Sequence, residues 1–464
     1  MITKTHIIPI KQIFAKVHKP HELNLEAICV FAATGFFLDQ DTYWKNIVVL
    51  PPASNCDIDE NGFLIEVTPW FKWHNTPREI TFDQALVQFS DLFENIVSEQ
   101  VKNNPVILPL SGGLDSRTQA IVLKKIGVEV QSYSYQFQEG YNETEIAEQI
   151  AAQCQFKFEK FEIPQGYLWE AVDQLAEING CYSDFCSPRQ MSVLEDLKKM
   201  QGVFSLGHWG DVLFDDMGVS TDLPVEEQVD VILKKITKRG GLEFAETLWK
   251  TWKLKGEFYD YFYKRVSSLL KQIDIPHDAN ARIRAFKSIY WAPRWTSVNL
   301  SVFEAAHSIT LPYYDDRMCE FICSLPESYL AGRRLQIEYI KKHNPELAKL
   351  TWDFYHPFNL YTYANYNKNR GLGSRMINSL KYRTKLALGK TVIQRNWELQ
   401  FLGKENDTSL KAHLFSEDFY KLLPKEVIHD IYKKFKRKNQ LMYAHAISIL
   451  LTLEMFNKKN NVDK

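Results

Sequence analysis

The residues with the clearest chemical meaning are Ser111-Gly112-Gly113-Leu114-Asp115-Ser116. They follow the apolar run Val106-Ile107-Leu108-Pro109-Leu110 and open a helical pattern. At a strand-to-helix turn, backbone N–H groups converge and the helix N-terminus adds positive potential, so the turn favours an anion such as phosphate. Gly112 and Gly113 are read as positions that take positive φ and let an anion come close. Ser111 and Ser116 add hydroxyl donors. Asp115 would repel a bare phosphate, and it makes sense where Mg²⁺ bridges the carboxylate to phosphate oxygens. The plainer reading is a Gly-rich turn with an Asp cap, but the full hexapeptide between strand and helix favours a phosphate site. It is not a Walker A loop, because Gly389-Lys390-Thr391 lacks the partner glycine five positions earlier.

Such a turn needs a sheet to hold it. Strand and helix patterns alternate from residue 105. Helix is expected over Arg117–Lys125, strand over Val128–Tyr135, helix over Asn142–Gln153, strand over Phe156–Ile163 and a short strand at Val203–Leu206. That alternation predicts an α/β fold, a parallel sheet with helices on both faces. Beyond about residue 220 the chain reads mainly helical. Before it, Thr81 and Gln84 form a capping box ahead of the periodic residues Leu86, Phe89, Leu92, Phe93 and Ile96. Residues 1–80 read as a small irregular region with short strands at Ile47–Leu50 and Phe63–Val67, the latter entered through an Asp59–Gly62 turn.

With 45% hydrophobic and 13% aromatic residues, the 464-residue chain can build a large core. Its 56 basic and 57 acidic residues give a net charge of −1, which argues against a polyanion partner. Seven scattered cysteines with no CxxC pair suit a reducing compartment, and a cytoplasmic location is expected. Cys319 and Cys323 should share one helix face as buried thiols. The longest apolar stretch, Ala27–Leu38, is too short to span a membrane. Between Asp353 and Glu398 there is no acidic residue but eight basic ones: Lys368, Arg370, Arg375, Lys381, Arg383, Lys385, Lys390 and Arg395. This segment, 354–397, is either a solvated basic surface or a mobile lid over a phosphate-bearing site.

The hexapeptide SGGLDS resembles the signature of PP-type ATP pyrophosphatases, and further motifs narrow the resemblance to the synthetase domain of asparagine synthetases. Gly207-His208-Trp209-Gly210-Asp211-Val212-Leu213-Phe214-Asp215-Asp216 resembles that family's G-E-G-x-D-E-L-F-G-G, and Tyr141-Asn142-Glu143 its Y-D-E. Leu311-Pro312-Tyr313-Tyr314-Asp315-Asp316 resembles R-x-P-F-L-D. The segment from Thr42-Tyr43-Trp44 to Leu50-Pro51-Pro52 is similar to the family's interdomain link. The resemblance implies an adenine nucleotide alpha hydrolase-like (HUP) domain at 81–464, with a small β-containing remnant at 1–80. It implies ATP bound by Leu110, Ser111, Gly112, Gly113, Asp115, Ser116, Gly207 and Asp211, with Mg²⁺ on Asp115 and Asp211. The reaction implied is transfer of AMP to a carboxylate, release of pyrophosphate, and attack by ammonia or an amine.

Departures from the family shape the expectation. Residue 2 is Ile2, where asparagine synthetases place a glutaminase cysteine. Nitrogen is therefore expected from free ammonia, a separate glutaminase or the substrate's own amine. His208 replaces a glutamate, and a His208–Asp315 dyad is expected to orient or deprotonate the amine. Val212 replaces another glutamate, and Asp215 and Asp216 replace glycines. A late lysine should meet pyrophosphate, with Lys381, Lys385 and Lys390 as candidates and Lys385 preferred. The leading reading is an amide ligase. A second makes a lactam or macrocycle from an internal or peptide amine. A PP-loop RNA-modifying enzyme is disfavoured by the balanced charge and the later motifs. A non-catalytic nucleotide binder is disfavoured by the retention of Asp115 and Asp211.

Overall fold

The computed structural model describes residues 12–138, 144–185, 188–366, 384 and 401–460. Two antiparallel pairs come first. β1 (Phe14–Lys16) pairs with β2 (Ile47–Val49), and β3 (Ser54–Ile58) pairs with β4 (Leu64–Pro69) across the expected Asp59–Gly62 turn. The capping box is present: Thr81 Oγ1 accepts from the Gln84 N–H at 3.2 Å, and Gln84 Oε1 accepts from the Thr81 N–H at 2.9 Å. It starts the Phe82–Val101 helix, whose inner face buries Ala85, Leu86, Phe89, Phe93 and Ile96.

The central sheet is all-parallel, in the order β7-β6-β5-β8-β9: β5 is Val106–Pro109, β6 Val130–Phe137, β7 Lys157–Ile163, β8 Val203–Ser205 and β9 Ile309–Thr310. Both faces are covered, as parallel sheets require. Along β5, Val106 and Leu108 point into the main core, while Ile107 joins Tyr133, Leu197, Phe204 and Phe303 on the other face. The chain runs β5 to β6 to β7 on one side, then crosses back to β8 and β9 on the other. The gap between β5 and β8 is thus a topological switch point, where open parallel sheets leave a crevice at their carboxyl ends.

The rest is helical, as expected. Cys319 and Cys323 are both buried on the Asp316–Cys323 helix. One difference lies in the N-terminal region. Apolar residues 27–38 begin with a helix, Leu25–Thr34, capped by Asn24 and ended by Gly35 at φ 82°. All but its first turn is buried in the same core as the late helices. Tyr43 stacks on Phe456 at 3.6 Å, and His445 donates from Nε2 to the Ala32 carbonyl at 2.9 Å. The reading of strands alone missed this helix because it is apolar all round and lacks helical alternation. No helix among the described residues is long and apolar enough to cross a membrane.

Beneath the turn after β5 lies Arg117, on the helix Leu114–Ile126, with no accessible surface. No carboxylate meets it among the described residues. Its guanidinium donates to four carbonyls: Gly112 at 3.1 Å, Leu347 at 3.1 Å, Leu350 at 3.2 Å and Thr351 at 2.7 Å. Burial lowers its pKa to about 10, so it stays charged near neutral pH. Replacing it should leave these carbonyls without donors, and each such loss is costly. Arg117→Met is expected to lower the stability of the folded state by about 2–4 kcal/mol in urea unfolding. A change within about 0.5 kcal/mol, typical of surface positions, would contradict this role for Arg117.

Candidate active site

The hexapeptide sits where its sequence context puts it, between the carboxyl end of β5 and the Leu114–Ile126 helix. Gly113 is the N-cap, and no side chain caps the helix. Its first-turn N–H groups therefore remain available to an anion. Ser111 and Ser116 brace the turn. Their hydroxyls lie 3.2 Å apart, Ser116 Oγ also accepts from the Ser111 N–H at 3.2 Å, and the Gly113 N–H donates to Ser111 Oγ at 3.3 Å. Leu110 is buried, and its N–H is used by the Tyr133 carbonyl of β6 at 2.8 Å. Only its carbonyl side remains for a nucleotide.

The glycines serve another purpose than expected. Neither Gly112 nor Gly113 has positive φ, and Gly113 is extended at φ −79° and ψ −178°. Gly112 is required by packing instead: a Cβ there would lie 2.7 Å from Asp353 Cβ and 3.2 Å from Ile146 Cδ1. Gly207 and Gly210, on the turn after β8, play the same part toward Asp115. A Cβ on Gly207 would lie 3.0 Å from Asp115 Cβ, and one on Gly210 would lie 2.7 Å from Asp115 Cγ. The bare backbone of the second motif thus cradles the aspartate of the first.

Asp115 and Asp211 are brought together from adjacent strands. Burial raises the pKa of Asp115; Arg333 opposes the rise and the Asp211 charge adds to it. Among the described residues no cluster of three or more His, Cys, Asp or Glu could hold a metal. Two carboxylates suit Mg²⁺, which commonly takes one or two of them and fills its shell with phosphate oxygens and water. When bound, the ion would neutralise phosphate charge there.

The site also contains residues the sequence did not suggest. Arg333 donates from Nη2 to Asp115 Oδ1, and Gln336 donates to the same oxygen at 2.9 Å. Gln336 has no exposed surface and also accepts from Arg333 Nε at 2.8 Å and donates to the Tyr313 hydroxyl at 3.3 Å. The Tyr313 hydroxyl in turn donates to the Asp115 carbonyl at 3.0 Å. Arg333 reaches the site because Gly332 and Arg333 both take left-handed backbone, at φ 65° and 61°. The Gly332 N–H is fixed by Asp215 Oδ1 at 2.9 Å. Asp215, one of the aspartates standing where the family motif has glycine, therefore positions an arginine on the Asp115 carboxylate.

The other candidates divide. His208 is largely buried, with its ring 5.9 Å from Phe303, and its Nδ1 has no partner among the described residues. Burial lowers its pKa to about 4, against a weaker pull from Asp211. The expected His208–Asp315 dyad is not formed. Asp315 caps the Asp316–Cys323 helix and binds Arg317, with Nε at 2.9 Å from its Oδ1, while Gln100 reaches its Oδ2 at 3.3 Å. The spacing of the two motifs gave no direction for the Asp315 side chain, and its own helix end claims it. Tyr141, Asn142, Glu143, Lys381, Lys385 and Lys390 lie outside the described residues, as does most of the basic segment 354–397.

The depressed His208 pKa has a measurable consequence. Its ordinary value is near 6.5, so on acidification the unfolded chain takes up this proton first. Stability from this group is full above about pH 6.5 and falls as the pH drops toward about 4. His208→Gln is expected to lose less Tm than the wild type across that window. Parallel Tm–pH curves for the two proteins would show that His208 is not held neutral by burial.

Residues 88–336 match the model of the family described as Asparagine synthase. No curated protein matches the chain. Among solved structures, that of NMN synthetase from Francisella tularensis is similar at 14% identity, covering 45% of this chain and 94% of that chain. The TM-score is 0.23. The family match spans more than half of the chain and holds β5, β8, both aspartates, Arg333 and Gln336. The chain belongs to the asparagine synthase family.

Proposed function

We propose that this protein is an ATP-dependent ligase that activates a carboxylate as its acyl-adenylate and joins it to nitrogen as an amide. Members of the family are ATP-dependent ligases or synthetases. The observation that carries the finer reading is the Asp115–Asp211 pair beside an uncapped helix N-terminus at the switch point between β5 and β8.

In the first step a carboxylate oxygen attacks the α-phosphorus of ATP. An acyl–oxygen–phosphorus bond forms, the bond from the α-phosphorus to the bridging oxygen breaks, and pyrophosphate leaves with that electron pair. The turn at 111–116 supplies N–H and hydroxyl donors for the phosphates. Arg117 adds fixed positive charge beneath the turn. Arg333 and Gln336 hold Asp115 in one orientation, and Asp115 and Asp211 are the residues that would hold Mg²⁺. In the second step the nitrogen of ammonia or an amine attacks the acyl carbon. The carbon–oxygen bond breaks, AMP leaves, and the nitrogen sheds a proton. His208, with Nδ1 unpartnered among the described residues, is the acceptor we assign to that proton.

Carboxylate-dependent exchange of labelled pyrophosphate into ATP isolates the first step. Amino acids, uronic acids and short acidic peptides form the panel. Asp115→Asn is expected to reduce exchange by about 100-fold or more, the scale seen when a transition-state contact to developing charge is removed. Exchange at the wild-type rate would place the chemistry elsewhere. His208→Ala is expected to retain exchange and to slow amide formation. Equal losses in both half-reactions would remove the proton-acceptor role.

A further inference from the structure

One cation beside the site is not used by the phosphate machinery. Lys287 opens a π-helix, Lys287–Thr296, that contains Pro293. π-Helices are rare and concentrate at functional sites. Lys287 Nζ sits over two indoles, 5.8 Å from the centre of the Trp209 ring and 5.0 Å from that of Trp291. The rings meet edge to face at 5.9 Å and 84°, forming a corner around the ammonium. Trp209 belongs to the second motif, two residues from Asp211. Its position is fixed, since its Nε1 donates to Ser288 Oγ at 3.1 Å and the Ser288 carbonyl accepts from the Tyr314 hydroxyl at 2.5 Å.

Lys287 has neither a carboxylate partner nor a hydrogen bond among the described residues, although the Asp211 and Asp215 charges act on it. The Trp291 indole N–H is buried and also lacks an acceptor among them. Desolvation of the ammonium, which lowers its pKa to about 8, is the cost of holding it there. A buried donor left without a partner is unfavourable unless a ligand completes it. Here the Trp291 indole N–H is such a donor, and the half-buried Lys287 ammonium lies over the face of the same ring.

The ligand chemistry follows from the walls. A triphosphate carries several charges and needs many donors, which this corner lacks. One ammonium, one indole N–H and two aromatic faces suit a single oxyanion attached to a carbon body. Building on the ligase reading above, we infer that Lys287, with Trp209 and Trp291, binds the carboxylate substrate and aims it at the nucleotide beside Asp211. The rings would cover the body of the acid and the two donors would hold its carboxylate.

The test measures pyrophosphate exchange under saturating ATP with L-aspartate, L-glutamate, glucuronate and a short acidic peptide as probes, followed by the KM for ATP with the best acid. Lys287→Met keeps the aliphatic stem over the indoles and removes the charge; Lys287→Arg keeps the charge. Removing one charge-assisted contact should raise the KM for the acid by about 10- to 100-fold in Lys287→Met. The KM for ATP should stay unchanged, and Lys287→Arg should recover much of the loss. A rise in the KM for ATP, alone or alongside that for the acid, would overturn the assignment in favour of a phosphate contact. Unchanged KM values for both substrates would make Lys287 purely structural, whether or not Tm falls. If the wild type binds ATP but exchanges with none of these acids, the ligase reading itself fails and this inference falls with it. That outcome is distinguishable because the defect is then present before any substitution.

Discussion

A buried charge with no counter-charge among the described residues holds this architecture together. Arg117 lies under the turn at 111–116, and four carbonyls from two distant stretches of chain surround it. Removing a guanidinium from water costs several kcal/mol unless its N–H groups are met. The fold is therefore constrained to bring residues 347–351 back beneath Gly112. That return also brings Asp353 against Gly112, where a side chain on the glycine would collide. Local turn, helix start and late segment become one unit. The same charge biases the space above it toward anions.

A second unit is built around Asp115. A buried carboxylate beside another one is unfavourable alone, and Arg333 and Gln336 offset that repulsion. Arg333 is held by backbone that a non-glycine residue seldom adopts, and Asp215 fixes the preceding N–H. Asp215 is itself placed by Arg284, which donates to its carbonyl at 2.8 Å and pairs with Glu327. A departure from the family motif thus has a physical reason. The aspartate at 215 supports an arginine contributed from more than a hundred residues away.

The sequence disclosed what depends on neighbouring residues. The strand at 106–109, the hexapeptide, the capping box at Thr81 and the hairpin turn at Asp59–Gly62 are all local chemistry, and all are present. The role of Gly112 and the partners of Asp115 were not legible, because both depend on chain returning from residues 333–353. His208 and Asp315 seemed a pair by motif alignment, but alignment carries no side-chain direction. Lys287 had no motif around it. Only the folded arrangement shows that its charge faces two indoles and no carboxylate partner among the described residues.

The early helix Leu25–Thr34 has a consequence for biosynthesis. Its main bed is the helix Gly241–Thr251, and Ala32 also accepts from His445 of the helix Gln440–Asn460. The early helix and Gly241–Thr251 are separated by roughly 200 residues, and ribosomes add about 5–20 residues per second. An apolar helix of ten residues therefore waits some ~10–40 s on the nascent chain before that partner exists. Through that interval it is a natural client for holdase chaperones.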